Sequence, residues 1–241
     1  VNLWGRDSEF AEYFARLASK LNYKVGPGPS STIRFPSESP YDERLGYANL
    51  PDYLGKLQTR NYAIEAQARL SPQMVQMADR GLFATFPEKT KVGLSILDCR
   101  GTPLFSSRFP ERFYDGFGKA PALLVHSLLF IENRELLDTK NPKRNPAVEW
   151  DRFSKAVLDK SLSVFTGGDK RSAGGSTLAT QIEKYRHSPD GRTSSLSEKL
   201  RQMASATLRA YQYGEDTTRA RRKVVVDYLN TVPLSAKPGY G

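Results

Sequence analysis

The sequence predicts a mainly α-helical protein with a smaller α/β segment at its N-terminal end, which makes the chain α+β overall. Apolar residues recur at helical spacing in several long stretches, among them residues 8–22, 121–137 and 196–211. The patterns typical of strands are short and lie near residues 62–70 and 91–108. Because helical periodicity covers most of the chain, we expect helices to build the core.

The length allows one large domain, or one domain with a smaller companion. We assign residues 1–86 to an N-terminal helix, a linker and the small α/β segment, and residues 87–241 to the principal domain. The chain begins at Val1 without a secretory leader and stops at Gly241, so we interpret it as a piece of a longer protein whose principal domain is truncated. No apolar run approaches the roughly 18 residues of a membrane-spanning helix. A membrane anchor would therefore lie outside this sequence.

The composition points to an anionic partner. A net charge of +10 comes from 36 basic and 26 acidic side chains, and it suits nucleic acid, anionic lipid head groups or phosphorylated substrates. One cysteine, Cys99, excludes an intrachain disulfide and a thiolate metal cluster. With only His126 and His187, a multi-histidine metal site is not expected. The sequence also lacks a Walker loop, an HExxH motif and a Ser-x-x-Lys motif, so those chemistries are unsupported.

The N-terminal segment opens with an amphipathic helix over residues 8–22, capped by Asp7 or Ser8. The side chains expected to face inward are Phe10, Phe14, Leu17 and Leu21. Residues 25–45 are rich in Pro, Gly and Ser, and they predict a boundary or a long loop.

Short elements fill the rest of this segment and lead into the principal domain. Residues 51–58 predict a helix, and residues 62–70 alternate as a half-buried strand does. A Ser-Pro pair at 71–72 predicts the capped start of another helix. Residues 91–108 predict a hairpin with its turn at 98–101.

The helix predicted over residues 121–137 carries the first candidate for chemistry. It is apolar nearly all round up to Ile131, which predicts a buried element. Glu132 then falls on the apolar line that includes Leu129. A carboxylate among apolar neighbours loses hydration, which suits a general base. From the helix alone, pairing of Glu132 with Arg134 is an equally good interpretation.

Residues 172–202 predict a glycine loop, a helix, a basic turn and a second helix. Gly174 and Gly175 allow a tight turn and the close approach of a ligand. Ser176 or Thr177 then caps a helix whose free N–H groups favour an anion. The polar face of this helix consists of Thr177, Gln181, Lys184 and Ser188, and its core face of Leu178, Ile182 and Tyr185.

Arg192 follows in the turn, and Ser195-x-x-Glu198 is a capping box that starts the second helix. Basic groups that converge on a helix entrance suggest a phosphorylated ligand. Taken alone, the glycine turn is explained at least as well as an ordinary loop entering a helix.

Two more helices are predicted in the principal domain. One opens at Asn145–Pro146 and runs to Phe165. The other is capped by Asp216 or Thr217 and ends near Pro233. The buried face of the latter consists of Val224, Val225, Tyr228 and Leu229.

Four motifs, in the same order, resemble those of the family 51 glycosyltransferases, the peptidoglycan polymerases of bifunctional penicillin-binding proteins. GGSTLATQIEK resembles the family's GGST-I-T-Q-Q-x-x-K, and RKVVVDYLN resembles a later motif that ends in Tyr-Leu-Asn. Residues 132–136 keep the glutamate and the arginine of the Glu-Asp-x-x-Phe pattern, while Asn133 and Leu136 replace an acid and an aromatic residue. The resemblance spans residues 115–235, about half of the chain, and marks a divergent member.

The third motif departs furthest from the family's Arg-Lys-x-x-Glu. This chain has Glu198, Lys199 and Gln202 at the arginine, lysine and glutamate positions. Because an amide carries neither charge nor a catalytic proton, we expect lower or altered polymerase activity. Glu198 lies one turn before Gln202 on the same helical face and is a candidate second acid, although its capping role competes.

The resemblance implies a lysozyme-like catalytic lobe that polymerises lipid II into glycan strands with inversion. It implies that Glu132 is the general base for the acceptor's 4-hydroxyl. The implied substrate-binding residues are Arg134, Gly175, Ser176, Thr177, Gln181, Lys184, Arg192, Lys199 and Gln202. No metal-ligand set is predicted, although a divalent cation such as Mg²⁺ is compatible with the pyrophosphate.

The same resemblance implies lipid II, the nascent glycan strand and a membrane surface as partners, and it allows a regulatory protein at residues 1–86. It implies a location on the periplasmic or extracytoplasmic face of the bacterial inner membrane. A lipid II- or glycan-binding scaffold without activity stays open, because the first and third motifs are altered. A nucleic-acid module has no aromatic platform or recognised motif to support it, and the basic phosphate face favours synthesis over cleavage by a lysozyme-like enzyme.

Overall fold

The computed structural model describes residues 3–35, 39–110, 112–148 and 176–232. Within those ranges the chain forms eight α-helices and two separate two-stranded antiparallel sheets. The helices are α1 (Leu3–Ala18), α2 (Pro40–Arg44), α3 (Leu50–Gln58), α4 (Pro72–Asp79), α5 (Ala122–Glu132), α6 (Leu178–His187), α7 (Leu196–Ala210) and α8 (Thr218–Thr231). The strands are β1 (Tyr23–Pro27), β2 (Ala66–Leu70), β3 (Val92–Leu97) and β4 (Pro103–Phe109). The predicted mainly α fold with a smaller α/β segment is confirmed.

Helix α1 begins earlier and ends earlier than predicted. It starts at Leu3, so the predicted cap at Asp7 or Ser8 is wrong, because no proline interrupts the helix ahead of that point. Leu21 is buried just beyond its end, whereas Phe10 is 43% exposed.

The stretch predicted as a long loop contains two ordered elements. Strand β1 pairs with β2 in register from Tyr23 opposite Leu70 to Pro27 opposite Ala66. Ser39 and Asp42 form a capping box that starts α2: the Ser39 hydroxyl accepts from the Asp42 N–H at 3.2 Å, and the Asp42 carboxylate accepts from the Ser39 N–H at 2.9 Å. Loop-forming composition concealed both elements.

The remaining short elements mostly agree with prediction. Helix α3 lies within one residue of the predicted helix, and the Ser71 hydroxyl caps α4 by accepting from the Met74 N–H at 3.2 Å. Strand β2 is shorter than residues 62–70, and Tyr62 is 64% exposed. Strands β3 and β4 form the predicted hairpin, whose turn is held by Asp98.

Helices α5, α6 and α8 share an apolar core. Leu129 of α5 packs there with Leu178 and Ile182 of α6 and with Val225 of α8. Burying each such side chain contributes about 1.5–3 kcal/mol. This core fixes α6 against α5 and α8.

A second core joins the N-terminal segment to α7. Ala11 and Ala18 of α1 and Met74 of α4 pack with Leu208 and Tyr211. Apolar packing therefore crosses the predicted boundary between residues 1–86 and 87–241. The boundary itself stays a prediction.

A buried group of five ionisable side chains, here called the Glu88 cluster, ties the segment before β3 to α6 and α7. Glu88 Oε2 pairs with Arg186 Nη1 at 3.1 Å, and Glu88 Oε1 lies 2.8 Å from His187 Nε2. Arg209 Nε pairs with Glu183 Oε1 at 2.7 Å, and Arg209 Nη2 lies 3.6 Å from Glu88 Oε1. Two carboxylates are thus matched by two guanidinium groups and an imidazole.

The Glu88 cluster also provides hydrogen bonds to backbone carbonyl oxygens that lie outside the helices and strands. Arg209 donates to the carbonyl oxygens of Ala84 and Phe86, at 3.1 and 3.2 Å. Arg186 donates to the Thr231 hydroxyl at 2.7 Å, at the end of α8. The irregular segment ahead of β3 is therefore fixed against three helices.

The partners of Glu88 keep its carboxylate ionised. Burial alone would raise the pKa of Glu88, but His187, Arg209 and Arg186 outweigh burial and hold that pKa far below its ordinary value. Burial would likewise lower the pKa of Arg209, yet Glu183 and Glu88 raise it. Both groups remain charged at neutral pH.

The helix predicted to open at Asn145–Pro146 falls mostly outside the described residues. Residues 145–148 form a turn in which Ala147 and Val148 are buried. The continuation of that helix to Phe165 stays a prediction.

Replacing Glu88 with Gln should destabilise the fold by about 3–5 kcal/mol, because buried cations lose their counter-charge. The folded pKa of Glu88 lies below its unfolded value of about 4.3. Its contribution is therefore complete above that pH and is lost as the pH falls toward the folded pKa. Urea unfolding across this pH range should show a flatter acid dependence in the variant than in the wild type.

The matched control is Glu135→Gln, which removes the 68%-exposed partner of Arg144. This surface pair should contribute at most about 1 kcal/mol. Equal losses of stability in the two variants would contradict the role given to the Glu88 cluster.

Candidate functional site

Helix α5 ends at Glu132, five residues before the predicted end. Val125 and Leu129 are buried on its inner side. The exposed outer side chains are Leu123, Phe130 and Ile131, at 79%, 64% and 77%. The prediction of an all-round buried helix is therefore wrong, because the described residues cover only one side of α5.

The carboxylate of Glu132 is half-buried and hydrogen-bonded. Its Oε2 accepts from Gln181 Nε2 at 2.9 Å, and Gln181 Oε1 accepts from the Tyr228 hydroxyl at 3.3 Å. The alternative pairing with Arg134 does not form. Arg134 instead donates to the Phe130 carbonyl oxygen at 3.1 Å, and its guanidinium carbon lies 4.0 Å from the centre of the Phe130 ring.

Thr177 caps α6 and forms a reciprocal pair with Thr180. The Thr177 hydroxyl accepts from the Thr180 N–H at 3.3 Å, and the Thr180 hydroxyl accepts from the Thr177 N–H at 2.9 Å. Thr177 and Ser188 of the predicted polar face are buried, at 2% and 0% exposure. Gln181 and Lys184 are the partly accessible members of that face.

The ammonium group of Lys199 lies beside the entrance of α6, within electrostatic reach of Lys184. Lys199 Nζ of α7 donates to the hydroxyl of Ser176, the residue before the cap. Burial and the charge of Lys184 lower the pKa of Lys199. Among the described residues, neither lysine is paired with a carboxylate. Such a pair of cations beside helix N–H groups is suited to an anion. Gly175, predicted at the same entrance, lies outside the described residues.

Arg192 lies apart from these groups. It follows the 3₁₀ turn Pro189–Gly191, beyond the opposite end of α6, and is exposed. Within the part of the chain that the structure describes, its side chain makes no hydrogen bond. The structure thus joins Glu132 directly to Gln181, and Ser176 to Lys199, without bringing Arg192 into either contact.

The two altered residues of the third motif hold the turn between α6 and α7. Gln202 is 1% exposed, and its amide donates to the hydroxyls of Ser188 and Thr193 at 2.9 and 3.0 Å. The amide of Gln202 is therefore used within the turn, and its contact with substrate stays a prediction.

Glu198 is engaged in capping. Its Oε2 accepts from the Ser194 N–H and hydroxyl, both at 2.7 Å, while the Ser195 hydroxyl accepts from the Glu198 N–H at 3.1 Å. The predicted capping box is therefore only half correct, because the carboxylate bonds Ser194 in place of Ser195. Burial opposes ionisation of Glu198, but hydrogen bonds from Ser188 and Ser194 outweigh it and lower the pKa. These bonds leave the Glu198 carboxylate little freedom to act as a second acid.

Sequence reasoning placed Tyr228 in the core and missed its hydroxyl. The side chain is 4% exposed and packs with Val225, as predicted, yet its hydroxyl reaches Gln181. A tyrosine on a buried helical face was the available signal, because a buried phenol normally needs a hydrogen-bond partner.

Comparison with known families gives one match. A family model described as Transglycosylase matches residues 105–241, more than half of the 241 residues. Comparisons with curated proteins and with solved structures give no match. The matched range contains Glu132 and every other predicted site residue.

Restoring the family's acid by Gln202→Glu should lower stability without improving a catalytic step. The new carboxylate would lie in a site of 1% exposure, near Glu198, and would lack a cation. We expect a loss of about 1–3 kcal/mol at neutral pH, recovered in part at acidic pH as the carboxyl group gains a proton.

Thermal unfolding at two pH values measures this effect. Gln73→Glu makes the same chemical change on the exposed first turn of α4 and should be near neutral. A Gln202→Glu variant as stable as wild type would contradict the buried placement of this amide.

Proposed function

The chain belongs to the transglycosylase family of peptidoglycan glycosyltransferases, glycosyltransferase family 51, and from that membership we propose that it polymerises lipid II, with Glu132 as the general base. The observation that carries this proposal is the 2.9 Å hydrogen bond between Glu132 and Gln181. It joins the acid at the end of α5 to the helix that bears Lys184. An acid and a cationic helix entrance in one site are what this transfer needs.

In the proposed reaction, the acceptor's 4-hydroxyl oxygen attacks the anomeric carbon of the donor. The bond from that carbon to the pyrophosphate oxygen breaks, and its electron pair leaves with the polyprenyl pyrophosphate. The hydroxyl proton passes to Glu132, and the anomeric centre inverts. Gln181 holds only Oε2 of Glu132 among the described residues, so Oε1 is free to take the proton.

The cationic entrance of α6 would receive the departing charge. Lys184 and Lys199 supply ammonium groups, Ser176 supplies a hydroxyl, and the first turn of α6 adds its N–H groups and dipole. Gly175 and Arg192 are proposed to contact the donor more peripherally. In the described ranges no three His, Cys, Asp or Glu side chains could hold a metal ion together. A cation such as Mg²⁺ would then bind chiefly through the phosphate oxygens.

A membrane surface is the proposed setting, on the extracytoplasmic side of the bacterial inner membrane. No described helix has both the length and the apolar character to cross a bilayer. The exposed side of α5, with Phe130 and Ile131 next to Glu132, would face the lipid from which the substrate is drawn. A regulatory protein at residues 1–86 remains a proposal drawn from the family.

A scaffold that binds lipid II without polymerising it is the second candidate. The observation in its favour is the internal use of Gln202 and Glu198, which leaves the third motif without an available acid. Binding without product is the outcome that separates the two functions.

Polymerisation of fluorescent lipid II by this chain and by Glu132→Gln tests the proposal. Loss of the base should slow strand formation about 10²–10⁴-fold, while lipid II binding, measured by fluorescence anisotropy, is retained. Lys199→Met should weaken binding by removing one of the two cations. Electrophoresis of the labelled strands gives the rates.

Glu135→Gln is the matched control, since it removes an exposed carboxylate three residues away. Strand formation by the wild type and the control, but not by Glu132→Gln, supports the polymerase. Binding without strands in the wild type overturns it in favour of the scaffold. Unchanged rates in Glu132→Gln remove Glu132 from the role of base.

A further inference from the structure

We propose that Tyr228 is a positioning residue that acts through Gln181 to hold the Glu132 carboxylate in its ionised, reactive orientation. This inference rests on the proposed function, because it assigns a task to a residue that supports the base. The geometry that carries it is a chain of two hydrogen bonds from Tyr228 through Gln181 to Glu132, at 3.3 and 2.9 Å.

The direction of these bonds follows from the donors and acceptors present. An ionised carboxylate only accepts, so the amide must turn its NH₂ group toward Glu132. The amide oxygen of Gln181 then faces Tyr228, whose hydroxyl can donate to it. Had the amide turned over, its oxygen would face the carboxylate and repel it. The carboxylate therefore selects the orientation of the amide, and the tyrosine hydroxyl holds the amide oxygen in that orientation.

Tyr228 is well placed to act as a fixed donor. Its side chain is 4% exposed and lies in the core shared with Leu178, Ile182 and Val225. Burial, and next the charge of Glu132, raise the pKa of Tyr228. The phenol therefore keeps its proton at neutral pH and remains a donor.

The chain of hydrogen bonds from Tyr228 through Gln181 to Glu132, here called the relay, also determines which oxygen of Glu132 is free. Gln181 occupies Oε2, and no described residue donates to Oε1. Removing the tyrosine hydroxyl would leave the amide oxygen of Gln181 without this bond, which would let the amide move and would weaken its bond to Glu132. A smaller fraction of the molecules would then present the base in its reactive orientation.

The test compares Tyr228→Phe, Gln181→Leu and the double variant with Tyr211→Phe. Tyr211 is the matched control, because it is 1% exposed and its hydroxyl also donates a part-buried hydrogen bond, to the Lys143 carbonyl oxygen at 2.7 Å. Tyr228→Phe and Tyr211→Phe should lose similar stability in thermal unfolding, so a purely structural effect would be shared by both.

With lipid II as substrate, Tyr228→Phe should lower kcat about 3–10-fold with little change in KM. Tyr211→Phe should leave kcat and KM unchanged. If Tyr228 acts through Gln181, then Tyr228→Phe should have little further effect in the Gln181→Leu background.

The ¹³C chemical shift of the Glu132 carboxyl carbon gives the same comparison without turnover, because it responds to the hydrogen bond from Gln181. At neutral pH the resonance should shift in Tyr228→Phe and Gln181→Leu and stay in place in Tyr211→Phe. An unmoved resonance in Tyr228→Phe overturns the relay, whatever the activity. Full activity in Glu132→Gln would overturn the proposed function, while a shifted resonance would still establish the relay as a structural fact.

Discussion

Glu88 lies beneath α6 with guanidinium groups from two helices and an imidazole around it, almost out of contact with water. Removing charges from water is costly, and mutual attraction offsets that cost only when the partners are held closely. The segment that carries Glu88 has no helix or strand to fix it, so the charges and the carbonyl contacts of Arg209 do so. The position of α6, and with it the site, depends on this arrangement.

The ten residues of helix α6 contact three different environments. Leu178 and Ile182 enter the apolar core, Glu183 and Arg186 enter the Glu88 cluster, and Gln181 faces Glu132. A helix held on two sides can present its third side with little movement, which is the preorganisation that electrostatic catalysis needs. In the proposed reaction, the buried charges would contribute by keeping α6 rigid.

Much of the fold was predictable where one local pattern determined the outcome. Ser71 before α4, the hairpin turn at Asp98 and the core residues of α6 all follow from short-range chemistry. Strand β1 was not predictable, because Pro- and Gly-rich composition usually means a loop and its partner β2 lies some forty residues away. The prediction that α5 is buried was wrong for a related reason. Composition shows how apolar a helix is, but not which side its neighbours cover.

For the site, the motifs predicted the members but not their contacts. Glu132 and Gln181 were both expected, and their hydrogen bond required tertiary structure to be seen. The buried position of Gln202 could not be derived from spacing, because spacing shows which residues share a helical face but not what packs against that face. The Glu88 cluster could not be predicted either, because Glu88 lies about a hundred residues before Arg186 in the sequence.

The hairpin of β3 and β4 has one further consequence. Its strands pair only with each other in the described part of the chain, so the outer edge of each offers free backbone donors and acceptors. Leu94, Ile96 and Phe105 are about half exposed on this ribbon. An open edge beside apolar side chains is a template for strand addition by another molecule. Self-association at high protein concentration would therefore begin at this ribbon.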